Sequence, residues 1–106
     1  MRPGRCFSIA ALLIFGAIAV PAQAATIQIV MQNLAIKPAE TSAKVGDTVE
    51  WINKDFVAHT ATARNGDFDV TLPPKQSGTF VLKNPGTVDY YCRFHPNMKA
   101  TLAVAP

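Results

Sequence analysis

Cysteine is scarce in this chain of 106 residues, and one of the two copies, Cys6, lies in a segment that reads as disposable. Arg2 and Arg5 make a short basic start, Phe7 to Val20 is apolar, and Ala22, Gln23 and Ala24 supply small residues at a cleavage position. Those are the three parts of a secretory signal peptide, and the apolar run, about 14 residues, is short for a membrane span. Cys6 precedes the run, where a lipid-acylated cysteine would follow it. The expectation is a signal peptide over 1–24, export to the periplasm, and a single domain over 25–106 that is not held in a membrane. That domain keeps one thiol, Cys92, so an internal disulfide is excluded.

Other shortages narrow the function. Once Arg2 and Arg5 are removed, ten Lys and Arg become eight against seven Asp and Glu, so no basic surplus remains to bind nucleic acid. Only Met31, Met98, His59 and His95 remain as thioether and imidazole donors, which excludes a Met-rich or His-rich exchange tract. With only two histidines, an enzyme built on several histidine-held metal centres is disfavoured as well. Glu40, Glu50, Asp55, Asp67 and Asp69 follow no repeated spacing and read as solvated faces or turn formers, not as catalytic pairs. Internal repeats, low-complexity tracts and sustained helical periodicity are all missing.

What is present is β-sheet patterning: β-branched residues alternate with polar ones, and Gly, Pro, Asn and Asp recur at short intervals. Ile27, Ile29 and Met31 share one face of a first strand, which makes Met31 a core residue. Further strands are expected at Thr41 to Lys44, Thr48 to Asn53, His59 to Arg64, Phe68 to Val70, Gly78 to Leu82, Thr87 to Cys92 and Ala100 to Val104. Val49 and Trp51 point the same way, into the core. Short strands separated by ARNGD, TLPPKQ and KNPG predict an all-β, Greek-key sandwich in one small domain. A domain of this size has a thin core, and a metal is a common reinforcement.

The stretch DYYCRFHPNM then acquires a place. Cys92 ends a strand, while His95 and Met98 occupy the tight loop before the return strand. His59 follows a bend after another strand and can reach the same end of the sandwich. One thiolate, two imidazoles and a thioether suit copper, whose electron-transfer sites join Cys and two His with a weak axial Met. Singly each residue has a blander reading, Met98 as core filler, His59 as a hydrogen-bonded histidine, Cys92 as an inert buried thiol. Export, spacing and strand placement together favour the metal.

YYCRFHPNM and VGDTVEWINKDFVAH resemble the copper-ligand segments of the cupredoxins, and the short C-x-x-H-x-x-M spacing is that of the amicyanins. The resemblance implies one type 1 copper ion held by His59, Cys92, His95 and Met98. It also implies a supporting role for Asn53, six residues before His59. Family members commonly carry Ser or Thr after the ligand cysteine, bonded to an asparagine of the other ligand loop; here Arg93 stands there, so Asn53 is expected to turn to backbone groups. Phe94 and Ala58 replace prolines that precede the two histidines in amicyanin.

The function so implied is a carrier of single electrons, not an enzyme, with His95 as the electron portal flanked by Phe94 and Pro96. Phe94 has core packing as its alternative. The resemblance suggests a monomer whose redox partners are an amine dehydrogenase and a c-type cytochrome. The rival reading is a periplasmic copper carrier or storage protein that hands over the ion; a zinc-stabilised binding module is a third.

Overall fold

The computed structural model describes residues 23–106 together with Gly4. The expected signal peptide, Cys6 included, lies almost wholly outside the described residues. Among the described residues the chain forms nine strands and no helix, so no helix is long and apolar enough to cross a membrane. In chain order they are β1 (Thr26–Gln32), β2 (Ala35–Lys37), β3 (Glu40–Lys44), β4 (Thr48–Asn53), β5 (His59–Ala63), β6 (Asp69–Leu72), β7 (Ser77–Val81), β8 (Gly86–Tyr91) and β9 (Lys99–Ala105).

Two sheets face each other, one ordered β2-β1-β4-β7 and the other β3-β9-β8-β5-β6. The alternation that identified the strands also selects their inner faces. Ile29 and Met31 of β1 and Val49 and Trp51 of β4 are fully buried, and Ala61, Val88, Tyr90, Leu102 and Val104 answer from the other sheet. Each large side chain so buried contributes about 1.5–3 kcal/mol. At the centre the Trp51 ring lies 5.2 Å from Phe68 and 5.7 Å from Tyr90. Gly78 pairs with Trp51 across the sheet. A Cβ there would come within 2.6 Å of Val70 and 2.8 Å of Leu72, so only glycine lets β7 close against β6.

The expected β-sandwich is therefore present, with local corrections. Strand β2 was not anticipated, because the turn before it lacks the glycine that normally announces a hairpin. Asn33 and Leu34 both adopt positive φ, 54° and 59°, and they do so because Asp55 accepts both of their backbone N–H groups, at 2.8 and 3.2 Å. The sixth strand is Asp69–Leu72 rather than Phe68 to Val70, since it pairs residue by residue with β5, Leu72 opposite His59. Phe68 turns into the core instead. Cys92 stands one residue beyond β8.

At the opposite end of β4, buried Asp47 closes the turn after β3 by accepting Ala25 N and Lys44 N, both at 2.9 Å. Those two N–H groups hold its carboxyl below the usual 3.8, against burial that acts to raise it. A depressed folded-state value means the stabilisation is present in full above the unfolded value and is lost as pH falls through the folded one. Asp47→Asn, which cannot accept both N–H groups on one uncharged amide, should flatten the acid limb of stability. Denaturant unfolding of both proteins between pH 5 and pH 2 checks this; parallel curves would refute it.

Candidate metal centre

Two connections meet at one end of the sandwich. The β4–β5 loop delivers His59 as the first residue of β5, and the β8–β9 loop carries Cys92, His95 and Met98. The second loop is wound by backbone bonds, His95 N to Cys92 O at 3.3 Å, Met98 N to His95 O at 2.8 Å and Cys92 N to Met98 O at 2.9 Å. Unwinding the loop would cost these bonds.

Within this frame the Cys92 Sγ lies 3.8 Å from His59 Nδ1 and 3.7 Å from His95 Nδ1. All three donor atoms fall within 4.8 Å of one another. The histidine rings meet edge to face with centroids 5.1 Å apart. His59 and Cys92 are fully buried and His95 is half-buried. Donors held by one first-row metal ion at about 2.0–2.3 Å with trigonal angles stand about 3.5–4 Å apart, so the cluster has the spacing of a metal site already assembled. Soft thiolate with two imidazoles suits copper, and zinc after it.

Met98 is 2% exposed at the close of the loop. Asn53, also buried, donates its amide to Val57 O at 2.9 Å and to Leu72 O and Pro73 O at 3.2 Å, and accepts Asp55 N at 2.9 Å. It braces the β4–β5 loop against the β6–β7 link, and none of these bonds reaches the Cys92 loop. Phe94 is 52% exposed and Pro96 is exposed, so Phe94 is a surface residue and not part of the core. Phe56, Val57 and Leu34 add further exposed apolar side chains from the neighbouring loops.

Two residues escaped the sequence reading. Asp55, read only as a solvated or turn-forming residue, places Oδ2 2.7 Å from His59 Nε2. That leaves Nδ1 for the metal side of the ring, since the partner of one imidazole nitrogen decides which face the other presents. Burial acts to raise its carboxyl, but the bonds from His59 and from Asn33 and Leu34 N–H hold it below the ordinary value. The four-residue spacing of Asp55 and His59 was the available signal, but a loop gives that spacing no fixed geometry. Thr60, the second, follows His59 directly and donates its amide to Cys92 Sγ at 3.4 Å.

Comparison with known proteins agrees with this geometry. MauL, a methylamine utilization protein of Methylorubrum extorquens, is 29% identical over 91 residues, which span 82% of this chain and 80% of MauL. Amicyanin of Paracoccus denitrificans is 31% identical over 71 residues, 61% of this chain and 54% of that protein. A solved structure of a reduced, Cu(I) form of an amicyanin variant aligns with a TM-score of 0.69 at 27% identity, covering 74% of this chain and 81% of the other. The family profile of the cupredoxin-like domain matches residues 5–104, and on that match, with the sandwich and the His-Cys-His cluster, the chain belongs to the cupredoxin-like family.

Proposed function

We propose that this protein is a type 1 copper protein that carries single electrons, in which His59, Cys92 and His95 would hold the ion with Met98 as a weaker thioether donor. The observation that carries the reading is the preassembled cluster, two Nδ1 atoms at 3.7 and 3.8 Å from one buried Sγ. Copper held there would supply a one-electron Cu(I)/Cu(II) couple. The protein's part is to keep the donors where they are in both states. Asp55 fixes the His59 ring, the Thr60 amide bonds the sulfur, and the backbone bonds of the Cys92 loop hold His95. Little has to move when charge changes, which favours rapid transfer.

The half-buried His95, beside exposed Phe94 and Pro96, is the natural exit for the electron. Phe56 and Val57 are exposed apolar side chains as well, with Lys75 Nζ 4.0 Å from the Phe56 ring and the Arg93 guanidinium 5.6 Å from the Phe94 ring, so the apolar surface offered to a redox partner is bordered by positive charge. The likeness to MauL and amicyanin supports an amine dehydrogenase as donor, and a c-type cytochrome is the matching acceptor. The basic start, apolar run and small-residue site support removal of 1–24 and a periplasmic domain over 25–106.

The test separates electrons from ions. Protein loaded with one equivalent of Cu(II) should turn blue or green, oxidise and reduce reversibly, and pass electrons to a c-type cytochrome while retaining its copper against a chelator. Rapid loss of copper to the chelator with no reduction of the cytochrome would establish the rival reading, delivery of the ion.

A further inference from the structure

Asp47 is a buried charge with no countercharge in contact. It is 3% exposed, and its two carboxylate oxygens accept Ala25 N and Lys44 N, each at 2.9 Å. Among the described residues the side-chain ion pairs are His59 with Asp55 and Arg93 with Asp69, while the Lys44 ammonium acts on Asp47 only through space. Burying a carboxylate is costly unless it is paired as well as hydrogen-bonded. The site is also a junction. Thr48 N donates to Ala25 O at 2.9 Å, Val45 N to Ala105 O at 2.8 Å and Leu82 N to Asp47 O at 2.8 Å. One turn thus gathers the entry to β1, the end of β9 and the exit from β7, at the far end of β4 from the metal centre.

The nitrogen that Asp47 Oδ1 holds is the one that leader removal would free. The small residues Ala22, Gln23 and Ala24 put the cleavage between Ala24 and Ala25. Gln23 and Ala24 are exposed and outside any strand, whereas Ala25 has both its N–H and its carbonyl engaged. Hydrolysis breaks the Ala24–Ala25 C–N bond. Water gives its hydroxyl to the Ala24 carbonyl carbon and a proton to the Ala25 nitrogen, and at neutral pH the amine takes up the proton that the new Ala24 carboxyl releases. An amide N–H on Asp47 thereby becomes an ammonium N–H, the charge-assisted bond in which both partners are ionised. Ala25 is itself exposed, so the other two N–H bonds of the ammonium can face water.

We propose that the Asp47 carboxylate is a binding site for the chain's own α-ammonium, created at Ala25 when the leader is removed, and that this ion pair locks the end of the sandwich away from the metal centre only in the processed protein. The inference rests on the reading that 1–24 is cleaved off, and it is independent of copper. Its consequence is that the domain gains its full stability after export, when the leader has done its work, and not before.

The full chain, exported with its own leader, should give a product that mass spectrometry shows to start at Ala25. A glycine inserted between Ala24 and Ala25 gives a product one residue longer, in which Ala25 N is again an amide and the amine stands one residue further out. Denaturant unfolding of both products, each with and without Asp47→Asn, forms a cycle. Asp47→Asn should raise the unfolding equilibrium constant about 10-fold more in the product that starts at Ala25 than in the longer one. Equal effects would overturn the ion pair. Should Asp47→Asn not fold, NMR titration of the terminal amine decides without it. At Ala25 the carboxylate favours the charged form, so that amine should titrate above the ordinary range of about 7.7–8.0, and the inserted glycine within it. Lys44, whose charge opposes the shift, is the same in both products, and identical titrations would overturn the assignment. An exported product that starts elsewhere would refute the cleavage reading, and with it this pair in the natural protein, whereas a start at Ala25 with equal effects in the cycle would refute the pair alone.

Discussion

Cys92→Ala protein mixed with Cu(II) should remain colourless, because the intense visible absorption of such a site is charge transfer from thiolate to copper. The substitution also leaves the Thr60 amide without its acceptor in a fully buried position. The metal-free fold should therefore lose about 1–2 kcal/mol, the cost of one small void and one unsatisfied N–H. In the wild type, copper at a hundred times its dissociation constant adds about 2.7 kcal/mol to the folded state, and that increment should vanish in the variant. Visible spectra and thermal melts with and without copper read both effects. A blue Cys92→Ala protein would remove the cysteine from the site, and with it the electron-transfer reading.

Asp55→Ala should be the most damaging change outside the donors themselves, since one carboxylate serves both the His59 ring and a separate turn. It holds His59 Nε2 at 2.7 Å and the positive-φ turn at Asn33 and Leu34 through their N–H groups at 2.8 and 3.2 Å. Loss of the partner of a ligating imidazole typically weakens metal binding 10–100-fold, and a fall of about that size is expected in a Cu(II) competition titration. The metal-free protein should lose about 2 kcal/mol through the freed turn amides. Asp55→Asn, which can still accept one bond, should fall between the two. Equal copper affinity in wild type and Asp55→Ala would show that the ring is held by packing alone.

The donor positions were legible because a short strand, a cysteine at its end and a three-residue stride to His95 and then Met98 leave few ways to build the loop. The same holds for the core: Ile29, Met31, Val49 and Trp51 obey the two-residue period that any half-buried strand imposes. Strand β2 escaped because its turn is enforced from outside, by a carboxylate 21 and 22 residues away. For Asn53 the turn to backbone groups was expected, but which groups it would meet was not legible, for a related reason. A buried amide bonds to whichever carbonyls the fold brings to it, and here they belong to Val57, Leu72 and Pro73.

Local chemistry and periodicity were thus enough to read an all-β fold, the identity of the candidate donors and the softness that selects copper, because these depend on residue type and on spacings of a few positions. The bonds that hold the donors in place belong to tertiary structure: Asp55 on His59, and Thr60 between Cys92 and Arg93. The Thr60 contacts join residues 32 and 33 positions apart, and the Asp55 contact lies in a loop whose path its four-residue spacing does not specify. Whether such groups meet depends on how β5 and β8 separate at the end of the sandwich, and a separation between strands leaves no periodic mark on either one.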